Sequence, residues 1–171
     1  MKESDLFRLG KPAFCLVAMG DSDYENLYLR LTGLPRPAVI RKVRGKKSQT
    51  VNGFFDEIAA ALQFPYYFGE NWAAFEECIV DLEWIEGDAY LLMVSNASLL
   101  LSAEDAEDFR ILIRILGQAN VEWLTPNQFF PRQRQPTLFR ILFQCSEADT
   151  LLFSERLQSV GSEFETFEPG S

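Results

Sequence analysis

Apolar residues along this chain fall either into short continuous runs, typical of buried strands, or into stripes with helical spacing. Strands are predicted for the runs at residues 13–19 (AFCLVAM), 38–43 (AVIRKV), 89–94 (AYLLMV) and 139–143 (FRILF). A weaker strand is predicted at 28–32, before the Gly- and Pro-rich break at 33–37. Because the strands alternate with helical stripes, the pattern predicts an α/β fold with a mostly parallel sheet.

Polar capping residues mark where the helices are expected to begin. The first predicted helix begins at Asn52 and ends before Pro65, since proline cannot continue a helix. Three further helices are predicted to begin near the capping residues Asn71, Ser102 and Ser146.

The same pattern divides the chain into three parts. Residues 1–37 are expected to form an N-terminal extension that adds one or more strands to the main domain at 38–145. Three prolines between 120 and 136 indicate an irregular insertion within that domain. Residues 146–171 are predicted to hold a C-terminal helix and an acidic tail, loosely ordered from Gly161 onwards.

The balance of acidic and basic residues favours some classes of binding partner over others. Sixteen basic and 25 acidic residues give a formal net charge of −9. Such a field disfavours nucleic acid and anionic membrane surfaces, and it attracts a basic protein. The other interpretation of this net charge is that it only keeps the protein soluble. No apolar run resembles a signal peptide or a membrane span, so a cytoplasmic protein is expected.

The residue types needed for most catalytic sites are missing from the sequence. The chain contains no histidine, which removes the commonest general base and metal ligand. Its cysteines, Cys15, Cys78 and Cys145, are too far apart in sequence to suggest a disulfide framework or a metal site. No cofactor or metal is expected, and carboxylate catalysis by Glu70 or its neighbours lacks an accompanying set of catalytic groups. The sequence therefore predicts a protein that is not an enzyme.

The most informative segment is the run FPYYFGENW at residues 64–72, referred to below as the corner. Pro65 ends one helix, Gly69 permits a backbone conformation closed to other residues, and Asn71 caps the next helix. A tight helix–loop–helix turn rich in aromatic residues is expected. On structural grounds alone, its rings would simply fill the core.

The helix after the corner has two different faces at 100° per residue. The face expected to meet the sheet consists of Trp72, Phe75, Cys78, Ile79 and Leu82. The face expected to meet solvent consists of Ala73, Glu76, Glu77, Val80 and Asp81. Three carboxylates thus lie close to the aromatic corner, although an exposed charge cluster is often only solvated.

The run FPYYFGENWAAFEECI at residues 64–79 resembles the signature segment of the barstar family of intracellular ribonuclease inhibitors. The resemblance extends over residues 38–143, with 120–136 inserted. It implies a small, mostly parallel three-stranded sheet packed with helices, with extra N-terminal strands and a C-terminal helix added here. It also implies that the second helix and the loop before it block the active site of a ribonuclease.

The resemblance assigns partner contacts to seven residues: Tyr67, Gly69, Asn71, Trp72, Ala73, Glu76 and Glu77. Glu77 takes the place of the family's key aspartate. Ala73 replaces a second acidic contact residue, and Glu76 replaces a tryptophan. Gln118 stands near the position of a further acidic contact.

Two functions follow as expectations. The first is an inhibitor, or immunity protein, of a basic ribonuclease or ribonuclease-type toxin. The second is a protein-interaction module on the same fold whose partner is not a ribonuclease.

Overall fold

The computed structural model describes residues 3–35, 37–128 and 133–168. Its strands are β1 (Phe14–Ala18), β2 (Ala38–Arg44), β3 (Ala89–Ser95), β4 (Leu138–Cys145) and β5 (Phe164–Thr166). Its α-helices are α1 (Asp21–Thr32), α2 (Val51–Leu62), α3 (Trp72–Asp81), α4 (Ala106–Leu124) and α5 (Glu147–Ser159). None of these helices combines the length and the apolar character needed to cross a bilayer.

All strands of the described chain form one parallel sheet with the order β2-β3-β4-β1-β5. The α/β class and the parallel sheet are therefore confirmed, but the sheet has five strands instead of three plus an addition at the edge. The N-terminal strand β1 lies inside the sheet, between β4 and β5. The division of the chain at residues 37 and 145 stays a prediction.

The helices cover the two faces of the sheet unequally. On one face, α1 packs through Tyr24, Leu27 and Leu31 in the smaller apolar cluster. On the other face, α2, α3, α4 and α5 share the larger cluster. Every residue of β4 is buried, as expected for a central strand with both faces covered. This arrangement leaves the α2–α3 corner on the helix-rich face.

One predicted strand is a helix. Residues 28–32, predicted as a weak strand, form the last turns of α1. Leu27 and Leu31 lie four residues apart and both face the sheet, whereas Leu29 is 63% exposed. Burial of this helical stripe therefore outweighs the local β propensity of the segment.

The predicted helix starts are partly wrong. Thr50, not Asn52, caps α2 by accepting the backbone N–H of Gly53. Asp105, not Ser102, caps α4 by accepting two backbone N–H groups. Asn71 and Ser146 cap α3 and α5 as predicted.

Two irregular segments are more ordered than expected. The insertion predicted at 120–136 begins later, because α4 continues to Leu124 with Trp123 buried in the core. The tail predicted to be loose contains β5, which pairs with β1. Residues 129–132 of the insertion and 169–171 of the tail lie outside the described residues.

A buried guanidinium explains why the C-terminal segment is ordered. Arg140 of β4 is only 1% exposed and forms an ion pair with Glu165 of β5. Its other N–H groups donate to the carbonyl oxygens of Pro12 (3.1 Å), Asp5 (3.1 Å) and Leu6 (3.3 Å). One side chain thus connects both ends of the chain to the centre of the sheet.

Glu165 is partly buried, and two cations determine its charge state. Burial alone raises the pKa of Glu165, but hydrogen bonds from Lys11 and Arg140 and their positive charges outweigh it and hold the pKa below its usual range. A carboxyl group with a lowered pKa in the folded state stabilises the fold above its unfolded pKa. That stabilisation is lost as the pH falls through the folded pKa.

We therefore expect Glu165→Gln to lower the free energy of unfolding by about 2 kcal/mol at pH 7, since it removes a charged hydrogen-bond partner from a buried Arg. The difference from wild type should shrink as the pH is lowered below the usual range of a glutamate. Urea unfolding at several pH values measures both effects. The exposed neighbour Glu163→Gln is the control. Equal destabilisation by the two substitutions would contradict the account.

Candidate functional site

Two left-handed residues shape the corner between α2 and α3. Gln63 (φ 53°) ends α2, and the backbone N–H of Phe64 donates back to the carbonyl of Ala59 at 2.9 Å. The backbone N–H of Phe68 then donates to Pro65 at 2.9 Å, closing a turn. Glu70 (φ 49°) is the second left-handed residue and leads into α3. The chain therefore reverses within a few residues.

The structure assigns a different role to Gly69 than the sequence suggested. Gly69 does not adopt a left-handed conformation; its neighbour Glu70 does. A Cβ atom at Gly69 would lie 3.0 Å from Nδ2 of Asn71, which donates to the carbonyl of Gly69 itself. A side chain at position 69 would therefore push the Asn71 amide away from the carbonyl oxygen to which it donates. The other end of that amide, Oδ1, accepts the backbone N–H of Ala74 at 2.9 Å.

A cluster of aromatic rings lies beneath the corner and joins it to both helices. Phe55 of α2 packs edge-to-face against Phe68 of the corner, with ring centres 5.6 Å apart, and against Trp72 of α3 at 5.0 Å. Phe64 packs edge-to-face on Phe68 at 4.9 Å and on Trp84 at 6.0 Å. The expectation that rings of the corner fill the core is therefore correct for Phe64 and Phe68.

The two tyrosines of the corner point the other way. Tyr66 is fully exposed and Tyr67 is 61% exposed. Their rings pack edge-to-face on each other, with centres 5.7 Å apart. Two large aromatic side chains outside the core, on a loop fixed at both ends, are typical of a contact surface for another protein.

The outer face of α3 carries the remaining predicted contact residues. Ala73 and Glu77 are exposed, and Glu76 is partly buried. Within the described part of the chain no ion pair holds Glu77. Glu76, in contrast, accepts a hydrogen bond at 3.1 Å from Nη1 of Arg114 on α4. The helical projection is thus correct for Ala73 and Glu77, whereas Glu76, Val80 and Asp81 are only partly exposed.

A groove of about 430 Å³ runs between the corner and α3. Its walls include Tyr67, Phe68, Glu77 and Val80, and Cys78 lies at its base. Burial, with the nearby charges of Asp81 and Glu77, raises the pKa of Cys78. The thiol therefore stays protonated near neutral pH and is a poor nucleophile. The groove offers a surface for contact, not a reactive group.

Trp72 sits at the boundary between the core and the contact face. Its ring is partly buried, and Nε1 donates to Oδ1 of Asp108 on α4 at 3.0 Å. Its ring packs against the core, as the helical projection predicts. Gln118, predicted near a further contact, is exposed on α4.

Sequence reasoning missed two residues of α4 that touch the site, Asp108 and Arg114. Both lie on the polar side of a helix more than thirty positions from their partners on α3. Both are polar residues outside the apolar stripe of α4, so an outward position could be predicted for them. The sequence does not indicate that they contact α3. Only the packing of α4 against α3 could identify them.

Side chains fill part of the carboxyl edge of the sheet, which is the usual ligand position of an open α/β fold. Buried Gln144 at the end of β4 donates to the carbonyl of Met19 and accepts the backbone N–H of Asn96, both at 2.7 Å. Asn96 in turn donates to Asp21 at 3.0 Å. Across the described residues, no group of His, Cys, Asp or Glu is arranged to hold a metal ion. The corner is therefore the candidate site.

Comparison with known protein families identifies one family that matches this chain. The protein-family model described as "Barstar (barnase inhibitor)" matches residues 38–144, which is more than half of the chain. This match begins at β2 and runs into β4, so it includes the corner and α3. A comparison with curated proteins finds no match.

Solved structures are similar over nearly the whole chain. The ORC2 protein of Aeropyrum pernix in its ADPNP-ADP complexes is 15% identical with a TM-score of 0.58, over 98% of this chain and 44% of that one. The ADP form of that protein is 15% identical with a TM-score of 0.59, over 94% of this chain and 43% of the other. This chain spans less than half of the ORC2 chain, and at such identity the likeness shows the fold alone.

The geometry of the corner gives a direct prediction for Asn71. Asn71→Ala should lower the free energy of unfolding by about 1 kcal/mol, because it removes the cap of α3. The matched control is Asn52→Ala, since Asn52 is an exposed residue inside α2 and caps nothing. Thermal or urea unfolding of both variants measures the difference. If Asn52→Ala is the more damaging, the assigned caps are wrong.

Proposed function

This chain belongs to the barstar family, and from that premise we propose that it is a protein inhibitor of a basic ribonuclease or ribonuclease-type toxin. It acts by placing the corner and the outer face of α3 over the active site of the enzyme. The proposal assigns no catalysis to the chain itself.

One observation carries the proposal: exposed Tyr67 and Glu77, whose carboxylate has no ion pair within the described residues, line the same groove. Tyr67 and Glu77 both line the 430 Å³ groove, and the aromatic cluster beneath them fixes the loop. A ribonuclease active site offers cationic side chains arranged for phosphate. A carboxylate held by a rigid loop satisfies those cations with charge-assisted hydrogen bonds, and tyrosine adds contact area at a low cost in conformational entropy.

The overall charge supports the same partner. A net charge of −9 raises the encounter rate with a basic protein and gives that rate a strong salt dependence. An acidic surface also keeps RNA away from the inhibitor.

Two features of the face favour a partner other than barnase itself. Ala73 carries no charge, and the carboxylate of Glu76 is already engaged by Arg114. The electrostatic anchor is therefore concentrated on Glu77. The enzyme that fits this face presents its main basic group opposite Glu77 and needs no cation opposite Ala73.

The same two features are the reason to keep a second candidate, an interaction module whose partner is not a ribonuclease. On this alternative the tyrosine pair still makes the contact, but inhibition of RNA cleavage is absent. An assay of ribonuclease inhibition therefore distinguishes the two candidate functions.

The cysteines suit a cytoplasmic location, which we include in the proposal. All three are buried and unpaired. Burial raises the pKa of Cys15 to about 12 and that of Cys145 to about 11. Thiols in this state require no oxidising compartment.

The test is inhibition of RNA cleavage. The purified protein is titrated against barnase and against the basic ribonucleases of its own source organism, with a fluorogenic RNA substrate. The proposal predicts complete inhibition of at least one of these enzymes at one-to-one stoichiometry. Binding of a basic ribonuclease without loss of its activity, or no inhibition across the whole set, contradicts it.

Glu77→Gln should weaken that inhibition by about 2 kcal/mol or more, since truncating a central charged anchor has effects of this size. The change is isosteric, so stability should be little affected. Glu155→Gln, an equal change of charge on the exposed side of α5, is the control. The inhibition constant and the association rate in low and high salt measure the effect. Equal losses for the two variants would show that only the overall charge matters.

A further inference from the structure

A second groove, of about 540 Å³, lies next to the face of α3 described above. It runs between the polar side of α4 and the turn that leads from α5 into β5. Residues that line it include Arg110, Arg114, Gly117, Gln118, Ser162 and Glu163. Two guanidinium groups therefore face one carboxylate across an open surface groove of a strongly acidic protein.

The two arginines lie one helical turn apart on α4, so both reach the same side of the groove. Nε of Arg110 donates to Glu107 at 3.0 Å, and Arg114 donates through Nη1 to Glu76. Both pairs are largely exposed, with the arginine side chains 63% and 59% accessible. Exposed pairs of this kind leave other N–H groups of each guanidinium accessible, so a further carboxylate can join the existing one at low cost.

Gly117 forms part of the groove wall in the middle of α4. Glycine inside a helix costs about 1 kcal/mol relative to alanine. The fold does not require it here, because a Cβ atom would meet nothing nearer than the ring of Phe14 at 3.9 Å. A larger side chain at 117 would stand in the groove beside the arginines. The glycine thus keeps this surface open at the expense of helix stability.

The groove and the face of α3 are contiguous through Arg114. Its guanidinium group contacts Glu76 on α3 and also lines the groove. A partner that covers Glu76 together with Glu77 therefore reaches Arg114 as well. The surface presented to it therefore includes the guanidinium groups of Arg110 and Arg114 beside the carboxylates of α3.

We propose that this groove receives an acidic side chain of the protein partner, bound between Arg110 and Arg114. Guanidinium groups match the planar geometry of a carboxylate. The inference rests on the proposed function, because it describes the second half of the same contact surface. The partner is thus a basic enzyme with an acidic residue beside its active site. The groove favours ribonucleases that have this acidic residue over those that lack it.

The groove can be tested on the full chain without a ribonuclease. The probe is acetyl-triglutamate amide, titrated at constant ionic strength while the amide NMR resonances of residues 110–118 and 160–163 are followed. The matched variants are Gly117→Glu and Gly117→Gln, which fill the groove equally and differ only in charge. Both remove a helical glycine, so both should be at least as stable as wild type, which thermal unfolding verifies.

We expect saturable shifts at these residues in wild type, and binding at least about tenfold weaker in Gly117→Glu than in Gly117→Gln, because like charges repel. Shifts that do not saturate, or equal affinities of the two variants, overturn the inference. Tighter binding of inorganic phosphate at the same resonances also overturns it, in favour of a free-anion site. Since no enzyme is present, this outcome is independent of the inhibition assay, and either proposal can fail alone.

Discussion

The contact surface depends on the packing of one buried ring, that of Phe55. Phe55 is 1% exposed and belongs to α2, yet it packs edge-to-face on Phe68 of the corner and on Trp72 of α3. Its ring therefore contacts all three parts of the turn, and Phe54, Phe64 and Phe75 add further ring contacts between them. Phe64 and Phe68 pack against the core on either side of Tyr66 and Tyr67, which lie outside. The exposed tyrosine pair is thus a consequence of how the loop is anchored.

The sequence predicts the elements whose stability is local or purely apolar. The runs at 38–43, 89–94 and 139–143 lie within β2, β3 and β4, because continuous apolar runs in a parallel sheet have no competing pattern. The α3 face was also predictable, since helical spacing alone separates Phe75 from Glu77. What could not be predicted depends on partners distant in sequence. The C-terminal strand contains charged Glu165, and its order depends on Arg140, 25 residues earlier.

The same limit applies to the contact surface. The corner and Glu77 were found from a short motif, whereas the neutralisation of Glu76 by Arg114 requires the packing of α3 against α4. Gly69 shows a subtler limit: the residue type was noticed, but its reason is the nearby amide of Asn71 and not its own backbone angle. A short motif indicates which residues have a structural role. It does not indicate which contact each of them makes.

The added elements place a barstar-type unit inside a larger sheet. The family match includes β2 and β3 and ends within β4, while β1 and β5 extend the sheet on the side away from β2. The likeness to the ORC2 chain extends over these added strands too. The sequence nevertheless contains no G-x-x-x-x-G-K-[ST] phosphate-binding motif, and Gln144, Asn96 and Asp21 are joined by hydrogen bonds where β3 and β4 end. The family match, which includes α3 and the loop before it, is the reason that we propose the corner as the recognition surface.

The central claim is that this corner occupies the active site of a ribonuclease. The most direct measurement is competition between the protein and a 3′-mononucleotide, a product of RNA cleavage, for a ribonuclease that it binds. The account predicts that the nucleotide and the protein exclude each other, and that the amide resonances changed by the enzyme centre on residues 66–77. Simultaneous binding of nucleotide and protein, or changes confined to another surface, would contradict it.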